Sequence, residues 1–124
     1  MTHGVGIDMI ETERVASGIN KESGFCEMVF SVREIAYCES KKNKFEHYAA
    51  RFAAKEAFFK ALGTGWADNT LFNEVEVINN VDGKPEIHLS GATKSTVDAM
   101  GINRILVSLS HVKAMASAVV ILEK

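Results

Sequence analysis

The sequence predicts an α+β fold in which a mostly antiparallel sheet packs with one long central helix. Two observations carry this prediction: one long Ala-rich helical segment, and predicted elements in the order β, α, α, α, β, β, α, β, β. The 124 residues, 47% of them hydrophobic, suffice for one core, so we expect a single domain spanning residues 1–124. The net charge of −2 provides no basic field, so neither a nucleic acid nor a membrane partner is expected.

The central helix is the clearest predicted element. Residues 47–62 are rich in alanine, the strongest helix former, and Gly63 follows them as a predicted helix cap. Apolar residues recur along this segment at spacings of three and four, which predicts one buried face.

The strands are predicted from alternating hydrophobicity and from turn residues. Val5, Ile7 and Met9 alternate with small or polar residues, which predicts a first strand with Asp8 near its end, facing away from Ile7. The other predicted elements are short helices over 11–17 and 31–38, strands over 72–78 and 85–89 joined by a turn over 79–84, a helix over 91–100, and closing strands over 104–110 and 114–122.

The cellular location is predicted from features that the sequence lacks. The first residues show neither the basic nor the apolar region of a signal peptide, and no apolar run is long enough to span a membrane. Cys26 and Cys38 form no C-x-x-C or zinc pattern, so we expect two reduced thiols. These features predict a cytoplasmic protein.

Glu56 is unusual because it lies within the apolar stripe of the central helix. Burying an unpaired carboxylate is costly, so Glu56 requires a compensating cation or a place at the edge of a cleft. One interpretation is an ion pair with Lys60, one turn further on. The other joins Glu56 with Asp8 as oxygen ligands of a divalent cation, beside which Lys60 holds a phosphate. The spacing alone leaves both interpretations open.

The turn after the central helix and a histidine near the closing strands are further polar candidates. Gly63, Thr64 and Gly65 offer backbone amides to an anion, but the partial negative charge of a helix C-terminus repels phosphate. A simple helix cap is therefore the alternative. His111 lies in a predicted turn, where histidines are usually ordinary surface residues. Trp66 is the aromatic residue that we expect to line a pocket.

Four segments of the chain form a more specific pattern. They are GVGID at residues 4–8, RFAAKEAFFKALGTG at 51–65, DGKP at 82–85 and SLSH at 108–111. Together they resemble the holo-[acyl-carrier-protein] synthases, the short 4′-phosphopantetheinyl transferases. This resemblance implies the fold of that family. It also implies transfer of the phosphopantetheine arm of coenzyme A to a serine of an apo acyl carrier protein, which leaves adenosine 3′,5′-bisphosphate.

The resemblance also implies roles for the acidic residues and for Lys60. By this similarity, Asp8 and Glu56 hold Mg²⁺ against the pyrophosphate of coenzyme A. Lys60 matches a family lysine that contacts the phosphates and assists proton transfer. The acceptor of the serine proton is left open among Glu34, Lys60 and a water on the metal.

The same resemblance assigns the remaining coenzyme-binding residues. Gly63, Thr64 and Gly65 match the loop of the family on the phosphate side. Arg51 and His111 match positions near the adenine and the 3′-phosphate. These assignments are expectations from similarity, because spacing alone does not indicate them.

The family further implies a homotrimer whose active sites lie between neighbouring subunits. Its basic first helix meets the acidic carrier protein, and here Arg14 and Lys21 match that pattern among several acidic neighbours. The alternative function is a non-catalytic oligomer of the same fold that binds coenzyme A or a nucleotide.

Overall fold

A computed structural model describes residues 1–64 and 70–124 and confirms the α+β fold. Over these residues the elements are β1 (Thr2–Glu11), α1 (Thr12–Asn20), α2 (Phe25–Val29), α3 (Val32–Glu39), α4 (Lys44–Leu62), β2 (Val75–Asn79), β3 (Pro85–Leu89), α5 (Gly91–Ala99), β4 (Arg104–His111) and β5 (Met115–Glu123). Gly65 and Trp66, two of the predicted site residues, lie outside the described part of the chain.

Several details differ from the sequence prediction, among them helix α1, which continues to Asn20, three residues beyond its predicted end. The short helix α2 was not expected, because five residues show no periodic pattern. Helix α4 begins at Lys44, three residues before the predicted start. The predicted strand over 72–78 begins only at Val75, because Phe72–Glu74 form a 3₁₀ turn. Glu74 uses its carboxylate there to accept hydrogen bonds from the backbone and the hydroxyl of Thr93 at the start of α5.

Both sheets are antiparallel. One has the strand order β1-β5-β4, and the other is the β2–β3 hairpin. Helix α4 packs across β1 and β5 and contributes more residues to the buried core than any other described element, six of them alanines. Among the described residues, none of the helices combines the length and the apolar character that crossing a membrane requires.

The close approach of α4 to β1 depends on two glycines. A Cβ atom on Gly6 would lie 1.9 Å from the carbonyl oxygen of Ala57, and one on Gly4 would lie 2.0 Å from that of Ala61. Glycine is therefore required at both positions, because any larger residue would drive a side chain into the helix backbone. Asp8 follows on the same face of β1 and so reaches α4 as well.

A buried ion pair fixes α4 on its other side. Lys55 donates to Glu34 Oε1 on α3 at 2.7 Å and to the carbonyl oxygens of Phe72 and Val75 at 2.8 and 2.6 Å. Glu34 Oε2 accepts from the backbone N–H of Val77 at 2.8 Å. Burial lowers the pKa of Lys55, and the charge of Glu34 opposes that effect. The pair joins α3, α4 and β2 without an unpaired buried charge.

The outer face of the larger sheet is apolar and exposed. Val5, Ile7 and Met9 on β1 are 59%, 63% and 62% exposed, although strands of this kind usually direct such residues to the core. These apolar side chains point away from the core because the opposite face of β1, which carries Gly4 and Gly6, packs on α4. A broad apolar surface is therefore left on the side of the sheet away from the helix.

We expect Gly6→Ala to lower the free energy of unfolding by about 3 kcal/mol or more, because the new methyl group overlaps the backbone of α4. Gly83→Ala is the matched control. Gly83 has a φ of +84° but open space around it, so only the backbone cost of about 1 kcal/mol applies. Urea unfolding measures both values, and equal losses would contradict the close approach.

Candidate active site

Asp8 and Lys60 are in direct contact. Lys60 Nζ, in the last turn of α4, donates to Asp8 Oδ1 at 2.9 Å and to the carbonyl oxygen of Ile7 at 3.0 Å. The Asp8 side chain is 15% exposed and that of Lys60 is 54% exposed, so the pair lies at an open edge of the α4–β1 contact. The ion pair that the helical spacing suggested between Glu56 and Lys60 is therefore wrong. The close approach of β1 offers Lys60 the carboxylate of Asp8 instead.

Glu56 adds a second carboxylate to this group. It lies one turn before Lys60 on α4 and is half-buried. Burial raises the pKa of the Glu56 carboxyl, the negative charge of Asp8 raises it further, and Lys60 opposes both effects. Two carboxylates thus face one ammonium, which leaves about one negative charge uncompensated in a partly desolvated place.

This arrangement fits a divalent cation. Carboxylate oxygens are the hard ligands that Mg²⁺ prefers, and Mg²⁺ commonly takes only one or two of them and completes its shell with phosphate and water oxygens. The described residues contain no group of three or more His, Cys, Asp or Glu side chains that could hold a metal by protein ligands alone. The donor set of Asp8 and Glu56 therefore suits a cation shared with a phosphate-bearing ligand. Asp8, Glu56 and Lys60 are called the acidic site below.

The turn after α4 is a helix cap in the structure. Gly63 has a φ of +82° and donates its N–H to the carbonyl oxygen of Lys60 at 3.1 Å. Thr64 is exposed beside it. Gly65, the third residue of the predicted phosphate loop, lies outside the described residues, so the role of this turn toward phosphate stays a prediction.

Arg51 and His111 line a separate cavity of about 330 Å³, called the histidine cavity below. Its polar lining side chains are Tyr37, His47, Arg51, Asn79, Lys84, Ser108 and His111. His111 is the last residue of β4, where it pairs with Ala116, so its predicted place in a turn is wrong. Its Nδ1 lies 2.9 Å from Glu46 Oε1 on α4. This contact holds the His111 ring at the cavity wall.

Arg51 is almost fully buried, at 2% exposure. Its Nη2 donates to Asn79 Oδ1 at 3.0 Å, and its guanidinium lies over the Tyr37 ring at 4.3 Å from the centroid. Asn79 in turn donates to the carbonyl oxygen of Gly83 at 3.2 Å. In the described part of the chain, the buried Nε of Arg51 has no hydrogen-bond partner. Arg51 thus anchors the β2–β3 turn and retains one buried donor without a partner among the described residues.

The acidic site and the histidine cavity lie on different sides of α4. Successive helix residues are about 100° apart, which places Glu56 and Lys60 about 140° and 180° around the helix from Arg51. Asp8, Glu56 and Lys60 are absent from the lining of the histidine cavity. Within one chain, therefore, the predicted site residues form two groups separated by the body of the helix.

Arg14 and Lys21 belong to neither group. Arg14 is exposed on α1, and Lys21 is exposed just after the end of that helix. Their exposure leaves both cations available to a partner. Glu13 and Glu22 on the same surface reduce its positive charge.

A wider cavity of about 600 Å³ contains none of the predicted site residues. It lies between the start of α1, the α3–α4 loop and the β4–β5 turn. Lysines and glutamates share its lining, with Glu46 on the side toward His111. We assign no ligand to it.

Sequence reasoning missed the buried Glu34–Lys55 pair and the position of His47. One signal for the position of Glu34 existed, because Ser31 and Glu34 have the spacing of a capping box at the start of α3. His47 gave no such signal. It becomes notable only because β4 brings His111 next to it.

Known proteins resemble this chain over most of its length. Residues 4–113 match the 4′-phosphopantetheinyl transferase superfamily. A holo-[acyl-carrier-protein] synthase of Ruminiclostridium cellulolyticum is 48% identical over 116 residues, which cover 92% of this chain and 87% of the relative. The crystal structure of the synthase from Neisseria meningitidis has a TM-score of 0.91 at 31% identity and covers all of both chains. The Helicobacter pylori synthase in complex with coenzyme A has a TM-score of 0.84 at 30% identity and covers 96% of this chain and 99% of that one.

The match spans most of the chain, and relatives and solved structures of one kind agree along its full length. On this evidence the chain belongs to the 4′-phosphopantetheinyl transferase superfamily, among its holo-[acyl-carrier-protein] synthases.

Proposed function

We propose that this protein transfers the 4′-phosphopantetheine arm of coenzyme A to a serine of apo acyl carrier protein. The observation that carries the proposal is the acidic site, where two carboxylates and a lysine converge from β1 and α4. Such a group suits a diphosphate ester bound with a divalent cation. Relatives named holo-[acyl-carrier-protein] synthase and the coenzyme A complex of one of them support the same reaction.

The reaction breaks a phosphoanhydride bond of coenzyme A and forms a phosphoester bond to the carrier protein. The serine oxygen of the carrier protein attacks the phosphorus that bears pantetheine, and the bond from that phosphorus to the bridging pyrophosphate oxygen breaks. The serine loses its proton, and adenosine 3′,5′-bisphosphate departs with the electron pair of the broken bond. No covalent enzyme intermediate is required.

Asp8 and Glu56 would hold Mg²⁺ in this proposal. When bound, the cation would polarise the attacked phosphorus and neutralise charge on the leaving phosphate. Its positive charge would also compensate the excess negative charge of the two carboxylates. Lys60 now supplies part of that compensation by its bond to Asp8. With a cation in place, the ammonium of Lys60 becomes available to a phosphate oxygen.

The burial of Glu34 reduces the number of candidate acceptors for the serine proton. Glu34 is fully buried, and both of its carboxylate oxygens already accept hydrogen bonds. We therefore do not propose Glu34 as the acceptor of the serine proton. Lys60 and a water molecule remain the candidates for that role.

The adenosine end of coenzyme A is assigned to the histidine cavity, and the pyrophosphate to Gly63, Thr64 and Gly65. Arg51 and His111 place cationic or titratable nitrogen atoms at the cavity wall. Because α4 separates this cavity from the acidic site, one ligand would meet the acidic site of one subunit and the histidine cavity of its neighbour. This division supports an active site between subunits.

We propose that the chain assembles as a homotrimer through the outer face of its larger sheet. Val5, Ile7 and Met9 lie exposed there beside Val119 and Ile121 of β5. An apolar face of this kind is stabilised by a second apolar surface, and identical subunits offer the same one. Assembly through it would bring neighbouring subunits to the edge of β1, where Asp8 lies.

The carrier protein and the cellular location complete the proposal. Arg14 and Lys21 on and after α1 are the cations proposed to meet an acidic carrier protein. Cys26 and Cys38 are free thiols, as is usual in the reducing cytoplasm, where we place the reaction.

Mass spectrometry of the carrier protein tests the transfer directly. With coenzyme A and Mg²⁺, the apo carrier should gain the mass of one phosphopantetheine group. Glu56→Gln should lower the rate at least about 100-fold, because it removes one of the two metal ligands. Glu86→Gln, an exposed change on β3, is the control and should keep full activity. Coenzyme A binding without any mass gain would support the non-catalytic alternative.

Thermal unfolding tests the cation site without any turnover. Mg²⁺ with adenosine 3′,5′-bisphosphate should raise the Tm of the parent protein by a few degrees, because the ligands bind only the folded state. The Glu56→Gln variant should lose this gain. Its Tm without metal should not fall below that of the parent, because the charge of Glu56 is desolvated beside Asp8. An equal Mg²⁺ effect in the parent and the variant would rule out Glu56 as a ligand.

Ile7→Glu should dissociate the trimer, because it places a charge at the centre of the proposed contact. Sedimentation velocity measures the change, and activity should fall with it if the site is shared. Val81→Glu in the β2–β3 turn is a matched control, since Val81 is fully exposed outside that face. A parent protein that sediments as a monomer would contradict the assembly.

A further inference from the structure

His47 is a titratable residue in the wall of the histidine cavity, and the proposed function gives it no role. Its ring centroid lies 5.4 Å from that of His111 and 5.6 Å from that of Tyr37. It projects from α4 one turn before Arg51, which lines the same cavity. His47 therefore faces whatever ligand the cavity holds.

Charged and titratable groups surround His47 from every element near it. They are Glu46 and Arg51 on α4, Tyr37 on α3, Lys41 after α3, Lys84 in the β2–β3 turn and His111 on β4. Burial lowers the pKa of His47, and the positive charges of Arg51 and Lys41 and the nearby His111 lower it further, while Glu46 opposes them. In the free protein at neutral pH the ring is therefore mostly uncharged.

The charge of the cavity wall suits a phosphate monoester. Arg51 and Lys84 contribute two positive charges to the lining, while Lys41 and Glu46 lie near His47 with opposite charges. A phosphate monoester carries about −1.5 to −2 near neutral pH. Because His47 lines the same cavity, a bound phosphate would stabilise an imidazolium at that position.

We propose that His47 is a proton-dependent phosphate-binding residue, so that the 3′-phosphate of coenzyme A binds in this cavity together with a proton taken up by the imidazole. This inference rests on the proposed function, which places that end of coenzyme A in the histidine cavity. It adds a residue that makes coenzyme affinity depend on pH.

The sign of the pH dependence follows from linkage. A bound phosphate favours the charged ring, so His47 binds its proton more tightly in the complex than in the free protein. Affinity then rises as the pH falls from above the pKa of the complex toward that of the free protein. Above both values the ring is neutral in each state, and His47 contributes no charge to binding.

Calorimetric titration with coenzyme A measures this coupling. The dissociation constant of His47→Phe, which keeps an aromatic ring in place, should equal that of the parent at about pH 8.5. At about pH 6.5 it should be about 3- to 10-fold weaker than the parent value. At each pH, the dissociation constant of the variant is divided by that of the parent. This ratio cancels the effect of the phosphate and of other titrating groups common to both proteins. Repetition in buffers of different ionisation enthalpy should show proton uptake by the parent that exceeds uptake by the variant.

Three controls make the outcome decisive. His88→Gln changes an exposed histidine on β3 and should leave the parent behaviour intact. Dephospho-coenzyme A, which lacks the 3′-phosphate, should show no dependence on His47 at either pH. His47→Gln serves as a second variant if the phenylalanine variant does not fold, and it should behave in the same way.

A constant ratio of dissociation constants across this pH range would overturn the inference. The same His47 dependence with dephospho-coenzyme A would also overturn it. If either result is obtained while the parent still binds coenzyme A and modifies the carrier protein, only the inference about His47 fails. If the parent binds no coenzyme A at any pH, the proposed function fails with it.

Discussion

The rest of the structure depends on the backbone-to-backbone approach of β1 and α4. Gly4 and Gly6 permit it, because a methyl group at either position would overlap a carbonyl oxygen of the helix. The approach brings Asp8 within 2.9 Å of Lys60 and near enough to Glu56 to raise its pKa. The close packing of β1 on α4 thus brings Asp8, Glu56 and Lys60 together. The strand and helix that form the core also present the acidic site.

The same packing underlies the proposal that neighbouring subunits share the active site. With its glycine face against α4, β1 turns its apolar side chains outward, so the sheet offers an uncovered face. Helix α4 also separates the acidic site from the histidine cavity by roughly its own width of about 10 Å. Both features lead to the same proposal, in which neighbouring copies cover the sheet and bring the two halves of a ligand site together. The buried Glu34–Lys55 pair holds α4 from its opposite side and keeps these positions fixed.

The sequence predicted the elements that depend on local pattern and missed those that depend on tertiary contact. The central helix, its cap at Gly63 and the antiparallel strands follow from composition and periodicity, and the segments matching the family predicted the grouping of Asp8 with Lys60. Spacing along the helix suggested the wrong partner for Lys60, because an i,i+4 pattern carries no information about a strand that approaches from elsewhere. His47 could not be selected from the sequence for the same reason: its neighbour His111 is 64 positions away in the chain.

The central claim is that carboxylates from β1 and α4 share one divalent cation beside a diphosphate. A crystal of the protein grown with coenzyme A and Mn²⁺ tests it most directly, because the anomalous signal of manganese locates the ion. The account predicts one peak at about 2 Å from oxygen atoms of Asp8, of Glu56 and of the pyrophosphate. A manganese peak bound elsewhere, with Lys60 still on Asp8 and Glu56 turned away, would contradict it.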